Sequence, residues 1–470
     1  MKKTLIQYRM VGLFGLLLNT PAHALDLWQT YEMALQNDAT YQAASAQKIA
    51  TDEQKKQARA VLFPTIVAGA SWKQMREEFD ATGRVVNTHP ASASLSLKQP
   101  ILQFDSFTAI KQVNNNVSIG ALTFEAARQD LISRVVQTYF NALLTQKTAQ
   151  VATAKEATAQ QQVKLAQRNF DVGNTTVIDT QEANAAYHRA QAESIVAQSN
   201  AGNAWANLED MVGAPITEPL ASLNAPLKLK MPTPDTQDKW VKRAIEENYN
   251  VQIARLALKT ASLEVTKRAQ TRLPTLNLLA SQTWKSTQYN HSNDVKSSVS
   301  SIGLEVSMPI FDGGLISAQV REAEALKTKS MQTVRSTQTQ VAQATRSAFG
   351  QAVSGLRSIE ALEEARKASS AAVRSNKIGY DLGMRINIDV LNAQQTDAQT
   401  QIDLAQAQYN TVIGNINLKA AIGQLQDDDV RYINQLLKVS PATKNDTSNP
   451  DRTQAAQSEP KSTDSTVFAQ

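Results

Sequence analysis

The chain has 470 residues, with 48 Lys+Arg against 43 Asp+Glu, four His and no Cys. The missing cysteine excludes zinc fingers, iron–sulfur clusters, thiol catalysis and disulfide scaffolds. Gly (17) and Pro (14) are scarce, aromatics make only 6%, and residues 101–214 and 310–440 hold no proline at all, a composition that favours long helices over a globule with a large core.

Residues 1–24 start with Lys2 and Lys3, run apolar from Met10 to Leu18 and close on Ala22-His23-Ala24. That is the pattern of a secretory signal cleaved after Ala24, and its apolar run is too short to cross a bilayer. Without it the balance is 45 basic against 43 acidic residues, which leaves no basic field for nucleic acid. No later stretch is apolar enough for a transmembrane helix. The chain is expected either to be soluble outside the cytoplasm or to use β-strands in a membrane.

A shift of 210 residues lays the chain on itself. Ala34 meets Ala244, Pro64-Thr65 meets Pro274-Thr275, Phe170-Asp171 meets Tyr380-Asp381, Gly173 meets Gly383, and Asp179 meets Asp389. The offset drifts only between the prolines and the long helix, where Pro100 pairs with Pro309. Chance does not hold one offset over such a length, so the chain is a tandem duplication. The first repeat spans 25–231, the second 232–440, and the Ser/Thr/Asn/Asp/Pro/Lys-rich segment 441–470 is expected to be disordered.

Each repeat reads as helix, two strands, long helix, turn, helix. In the first, 27–62 is helical and stops before Pro64. The period then becomes two: Ile66, Ala68, Ala70 and Trp72 alternate with polar or small residues, as do Leu95 and Leu97. Ile302, Leu304, Val306 and Met308 alternate with Ser301, Gly303, Glu305 and Ser307 in the second. The hairpins fall at about 65–100 and 275–309. From Phe104 to Phe170 the spacing is helical, enough for a rod of roughly 100 Å. Phe349, Ala352, Leu356 and Ile359 show the same in the second copy. Gly173 and Gly383 sit where these helices turn, and second helices are expected over 178–212 and 386–422.

Strands of about nine to eleven residues with one apolar face suit a tilted membrane strand, and Trp72 and Trp284 suit an interfacial belt. A soluble two-hairpin sheet packed on helices fits the alternation equally well. Four strands cannot close a barrel, and an open edge in lipid is costly, so a membrane location demands an oligomer. Two copies would give eight strands and a barrel filled by side chains; three would give twelve, enough to enclose a water-filled lumen.

The leader, the duplication, the proline-bounded hairpins, Phe311-Asp312-Gly313-Gly314, and the segments Phe170-Asp171-Val172-Gly173 to Asp179 and Tyr380-Asp381-Leu382-Gly383 to Asp389-Val390-Leu391 resemble the TolC family over nearly all of 25–424. The resemblance implies an α+β membrane protein. Its homotrimer would form a twelve-stranded β-barrel in outer-membrane lipid, continued by a coiled-coil α-barrel across the periplasm. It implies an exit duct for multidrug efflux or type I protein secretion, with a periplasmic adaptor (membrane fusion protein) and an inner-membrane ABC or RND transporter as partners, and no cofactor. Carried over by motif, Tyr380 and Arg385 would bond toward Asp179 to close the periplasmic end. Asp389 would be the constriction carboxylate, with Asn392 where the family's best-known member has a second carboxylate. Gly173 and Gly383 would mark the turns where the adaptor docks. Read from the residues alone, Asp179 after Thr176 and Asp389 after Asn387 are ordinary helix-capping patterns.

An enzyme is not expected. The mature chain's His89, His188 and His291 are scattered, and no P-loop, GxSxG or HExxH motif occurs. A soluble periplasmic coiled-coil adaptor or structural protein is the competing reading. No residue distinguishes drugs from secreted protein as cargo.

Overall fold

The computed structural model describes residues 24–438 other than 80, 82, 174–175, 224–230, 235 and 290–291, so nearly all of the expected leader and the whole tail 441–470 lie outside the described residues, as does His291. The expected single helix over 27–62 is two, α1 (Leu27–Asn37) and α2 (Ala39–Ala60). Asp38 breaks it. Its carboxylate accepts from the Tyr41 backbone N–H at 2.7 Å and from both terminal nitrogens of Arg134 at 2.7 and 3.0 Å. An aspartate that satisfies the free N–H groups of the next helix starts that helix afresh rather than continuing the previous one.

The chain continues through β1 (Thr65–Trp72), β2 (Met75–Phe79) and β3 (Arg84–Leu102), then α3 (Phe104–Asp171), α4 (Val177–Val212) and the short β4 (Ser222–Leu223). The second copy gives α5 (Gln237–Glu247), α6 (Tyr249–Gln270), β5 (Thr275–Tyr289), β6 (Ser292–Ser307), α7 (Leu315–Asp381) and α8 (Asn387–Ala421). Among the elements not anticipated are the separate strand β2, the helix α9 (Asp427–Gln435) and the two short strands β4 and β7 (Leu437–Lys438), which pair with each other. The offset of 210 is kept by the helix starts Leu27 and Gln237, Ala39 and Tyr249, and Val177 and Asn387.

The two hairpins form one antiparallel sheet. β1 and β2 lie end to end along one edge of β3, β3 pairs with β5 from Thr88↔Tyr289 to Leu102↔Leu276, and β5 pairs with β6. The strands outrun the expected nine to eleven residues: β3 has 19, β5 has 15 and β6 has 16. The excess lies beyond the apolar band, where polar stretches such as Arg84–Pro90 still complete their ladder against a neighbour.

Register fixes the two faces. Ile66, Leu97, Ala280 and Ile302 stand in one row across the sheet, while the next row on that face, Ala68, Leu95, Gln282 and Ser300, is apolar on β1 and β3 only. The opposite face carries Ser71, Ser92, Ser94, Ser96, Ser281 and Ser301, with hydroxyl pairs Ser71–Ser92 at 2.9 Å and Ser281–Ser301 at 2.8 Å. No described element covers the apolar face: Ile302, Leu304 and Val306 are 78, 66 and 68% exposed. The outer edges of β1/β2 and β6 pair with no other strand among the described residues.

The core sits instead midway along the helices. Tyr31, Leu131, Val135, Tyr139, Phe140, Leu208, Val412, Ile416, Val430 and Ile433 form one buried cluster, with Tyr139 donating to the carbonyls of Leu25 and Ala221. A smaller cluster around Trp240, Ala244, Val251, Leu418 and Ile422 serves the second copy. Burying a Leu or Phe side chain there contributes about 2 kcal/mol, and α9 caps the larger cluster while Asp427 accepts from Tyr31 and Arg128.

Candidate functional site

The helices α3 and α7, 68 and 67 residues long, carry the chain from the sheet to two turns at their far ends, on the order of 100 Å away at 1.5 Å per residue. Both turns use one backbone device. Gly173 and Gly383 have φ of 76° and 73°, and their N–H groups donate to the Phe170 and Tyr380 carbonyls at 2.9 Å. A left-handed residue closes the helix end, and any side chain there would strain it.

The side chains diverge. At the first tip Thr176 caps α4 in a reciprocal box: its hydroxyl accepts weakly from the Asp179 N–H at 3.4 Å, while Asp179 Oδ2 accepts from the Thr176 N–H and hydroxyl at 2.9 Å each. The capping pattern read at Thr176 and Asp179 is therefore present. At the second tip the cap position belongs to Ile386, which has no side-chain oxygen to offer and accepts from the Asp389 N–H only through its backbone carbonyl, and Asn387 lies inside the helix. Asn387 does not cap, contrary to the capping pattern read there. It is buried, and its Oδ1 has no partner among the described residues. Asp389 is thus free of a box and meets Arg385 at 3.6 Å. Arg385 is well exposed and Asp389 partly so, and such a solvent-reached ion pair contributes about 0.5 kcal/mol and exchanges readily for another partner.

The tips touch through residues that sequence reasoning did not single out. Asn169 Nδ2 donates to the Tyr380 hydroxyl at 3.2 Å and so ties α3 to α7. Among the described residues, neither Tyr380 nor Arg385 bonds to Asp179 within one chain. Comparing the copies at the fixed offset exposes Asn169, because Gly379 stands opposite it. Asp389 and Asn392 lie three apart on α8 and share one side of it, with Asn392 exposed. Val172, Ile178, Leu382, Met384 and Ile386 present a cluster of exposed apolar side chains around the turns.

These tips can exchange hydrogen bonds and ion pairs. No group of three metal-ligating side chains occurs among the described residues. At the other pole, the concave region of about 690 Å³ beside Trp72 and Trp284 lies on the sheet and includes Lys285 and Lys296.

Residues 30–214 and 240–424 each match the model of the family described as outer membrane efflux protein. The chain is 28% identical over 426 residues to the outer membrane protein TolC of Escherichia coli K12, covering 88% of this chain and 86% of that protein. It is 29% identical to the alkaline protease secretion protein AprF of Pseudomonas aeruginosa, with 90% of each covered. It is 26% identical to the proteases secretion protein PrtF of Dickeya chrysanthemi, covering 88% and 91%. Among solved structures, the Campylobacter jejuni CmeC outer membrane channel superposes with a TM-score of 0.76 at 17% identity, covering 93% of this chain and 97% of that one. The open Neisseria gonorrhoeae MtrE channel gives 0.70 at 18% identity, covering 86% and 91%. At those identities the likeness is one of fold.

Proposed function

From the chain's membership of the outer membrane efflux protein family, we propose that three copies form an exit duct, a twelve-stranded barrel in the outer membrane continued by a helical barrel into the periplasm. The observation that carries the reading is the sheet: among the described residues, nothing lies upon its apolar face and its two outer edges pair with no strand. In hydrocarbon each unpaired backbone group costs several kcal/mol, so the edges must meet those of other copies. Three copies of this four-column sheet close a barrel wide enough for a water-filled lumen, and the serine-rich face would line it. A soluble periplasmic adaptor would have no use for such a face. Chemical cross-linking and native mass in detergent should give three copies, and a stable monomer inserted in lipid would refute the assembly.

At the other end we read the tips as the gate. Arg385 would exchange its exposed pairing with Asp389 for Asp179 of an adjoining copy, Tyr380 would bond toward the same carboxylate, and the narrowed end would hold small solutes back at rest. The apolar cluster beside Gly173 and Gly383 would receive a helical hairpin of a periplasmic adaptor, which links the duct to an inner-membrane transporter of the ABC or RND class. Relatives named for protease secretion and for efflux make both protein and small-molecule cargo consistent with the same duct.

Asp389 would line the constriction. Three carboxylates about 6 Å apart repel by roughly 0.7 kcal/mol per pair even at water's dielectric constant, and a cation relieves that repulsion. Block by a trivalent cation from the periplasmic side should disappear in Asp389→Asn and strengthen in Asn392→Asp. Unchanged block in Asp389→Asn would remove this residue from the pore.

A further inference from the structure

Gly379 lies in the last turn of α7 (Leu315–Asp381), and unlike Gly383 its φ is not left-handed. Nothing in its own backbone requires glycine, and glycine weakens a helix. The reason lies beside it. A Cβ at position 379 would stand 2.8 Å from Arg385 Cγ and 3.5 Å from Arg385 Cβ. The Arg385 Cβ is fixed by the backbone and its Cγ moves only when χ1 turns and carries the whole stem with it, so the chain tip alone cannot relieve the contact. The backbone leaves no slack either, because the Gly379 carbonyl accepts the N–H of Met384 at 2.8 Å and of Arg385 at 3.1 Å.

We propose that Gly379 is a positioning residue of the gate: its missing side chain is the seat on which the Arg385 stem lies, and that seat holds the guanidinium over the α8 end, within reach of Asp389. The first copy supports the assignment from the opposite direction. The position 210 residues earlier is Asn169, which has a side chain and uses it to bond Tyr380 at 3.2 Å, while the counterpart of Arg385 is Thr175. The two positions have taken complementary parts, one tip reaching across and the other making room.

The proposal rests on Arg385 being a gate group, and its test separates the two ideas. Trimers carrying Gly379→Ala, Arg385→Ala and both changes are compared by single-channel conductance in planar bilayers, and the Gly379→Ala channel is solved by electron cryomicroscopy. The parent channel is solved alongside it, and the expected Gly379→Ala structure has the Arg385 stem displaced and its guanidinium moved from the place the parent trimer gives it. The expected conductance of Gly379→Ala rises to the level of Arg385→Ala, with no further rise in the double variant. If Arg385 keeps the place it has in the parent trimer in the Gly379→Ala structure, the seat is refuted. It is refuted equally if Gly379→Ala conducts like the parent while Arg385→Ala opens. If Arg385→Ala itself conducts like the parent and the arginine is nevertheless displaced, the seat stands and the gate reading falls.

Discussion

At the first tip Thr176 holds Asp179 in a closed capping box, whereas 210 residues later Ile386 stands in the threonine's place and Asp389 is left to Arg385. The same contrast recurs where each repeat's first helices meet. Asp38 starts α2 with its carboxylate gripped by Arg134, while its counterpart Asn248 starts α6 with a neutral amide. The residue opposite Arg134 in the second copy is Ala344. Duplication kept the backbone at both places and changed which side chain satisfies it. At the tips the first copy holds its aspartate in a box and the second leaves it to an arginine; at the junctions the first copy uses an ion pair and the second a neutral cap.

The largest effect that would sharpen this contrast is at the junctions. Asp38→Ala leaves Arg134 half-buried without its main partner and uncaps α2, a loss of about 3 kcal/mol in denaturant unfolding of the detergent-solubilised protein. Asn248→Ala removes a neutral cap only, a loss of about 1 kcal/mol. Equal losses would break the comparison.

The pH dependence should be unequal in the same direction. The Arg134 guanidinium beside Asp38 holds its carboxyl below the usual carboxylate range. Its folded value is thus depressed. The stabilisation is full above the unfolded value, about 4, and is lost as pH falls from there through the lower folded value. Amide exchange should show the α1–α2 junction loosening over that acid window, an effect that Asp38→Asn removes. Asn248 cannot titrate, so the α5–α6 junction has no such local term.

At the tips the effects are smaller and of opposite sign. Thr176→Ile gives the first tip the second tip's cap and should cost about 1 kcal/mol. Ile386→Thr should gain about 0.5 kcal/mol by building a box at the second tip and should draw Asp389 away from Arg385. Exchange of the α4 and α8 first-turn amides reads both. A destabilising Ile386→Thr would show that the isoleucine is there for packing rather than to leave the aspartate free.

Much of the architecture was legible because it is periodic. The offset of 210, the alternation at 302–308 and the turn glycines each repeat a simple rule, and the structure follows them. What escaped was local competition. The break at Asp38 depends on Arg134, 96 residues away, which no helical period reveals. Asn387 looked like a cap because asparagine often is one, but the chain enters α8 one residue earlier, at Ile386. Asn169 and Gly379 gave no motif, and only their mismatch at equivalent positions of two similar copies marks them. α9 was missed because Asp427, Asp428 and Asp429 in its first turn make a short helix look like an acidic linker.

The central claim is that these tips close a conducting trimer. Single-channel conductance of the Tyr380→Phe/Arg385→Ser variant in planar bilayers tests it most directly, since both changes remove bonds and leave the helix ends and turn glycines in place. The account predicts a conductance clearly above that of the parent channel. A variant that conducts like the parent would contradict it.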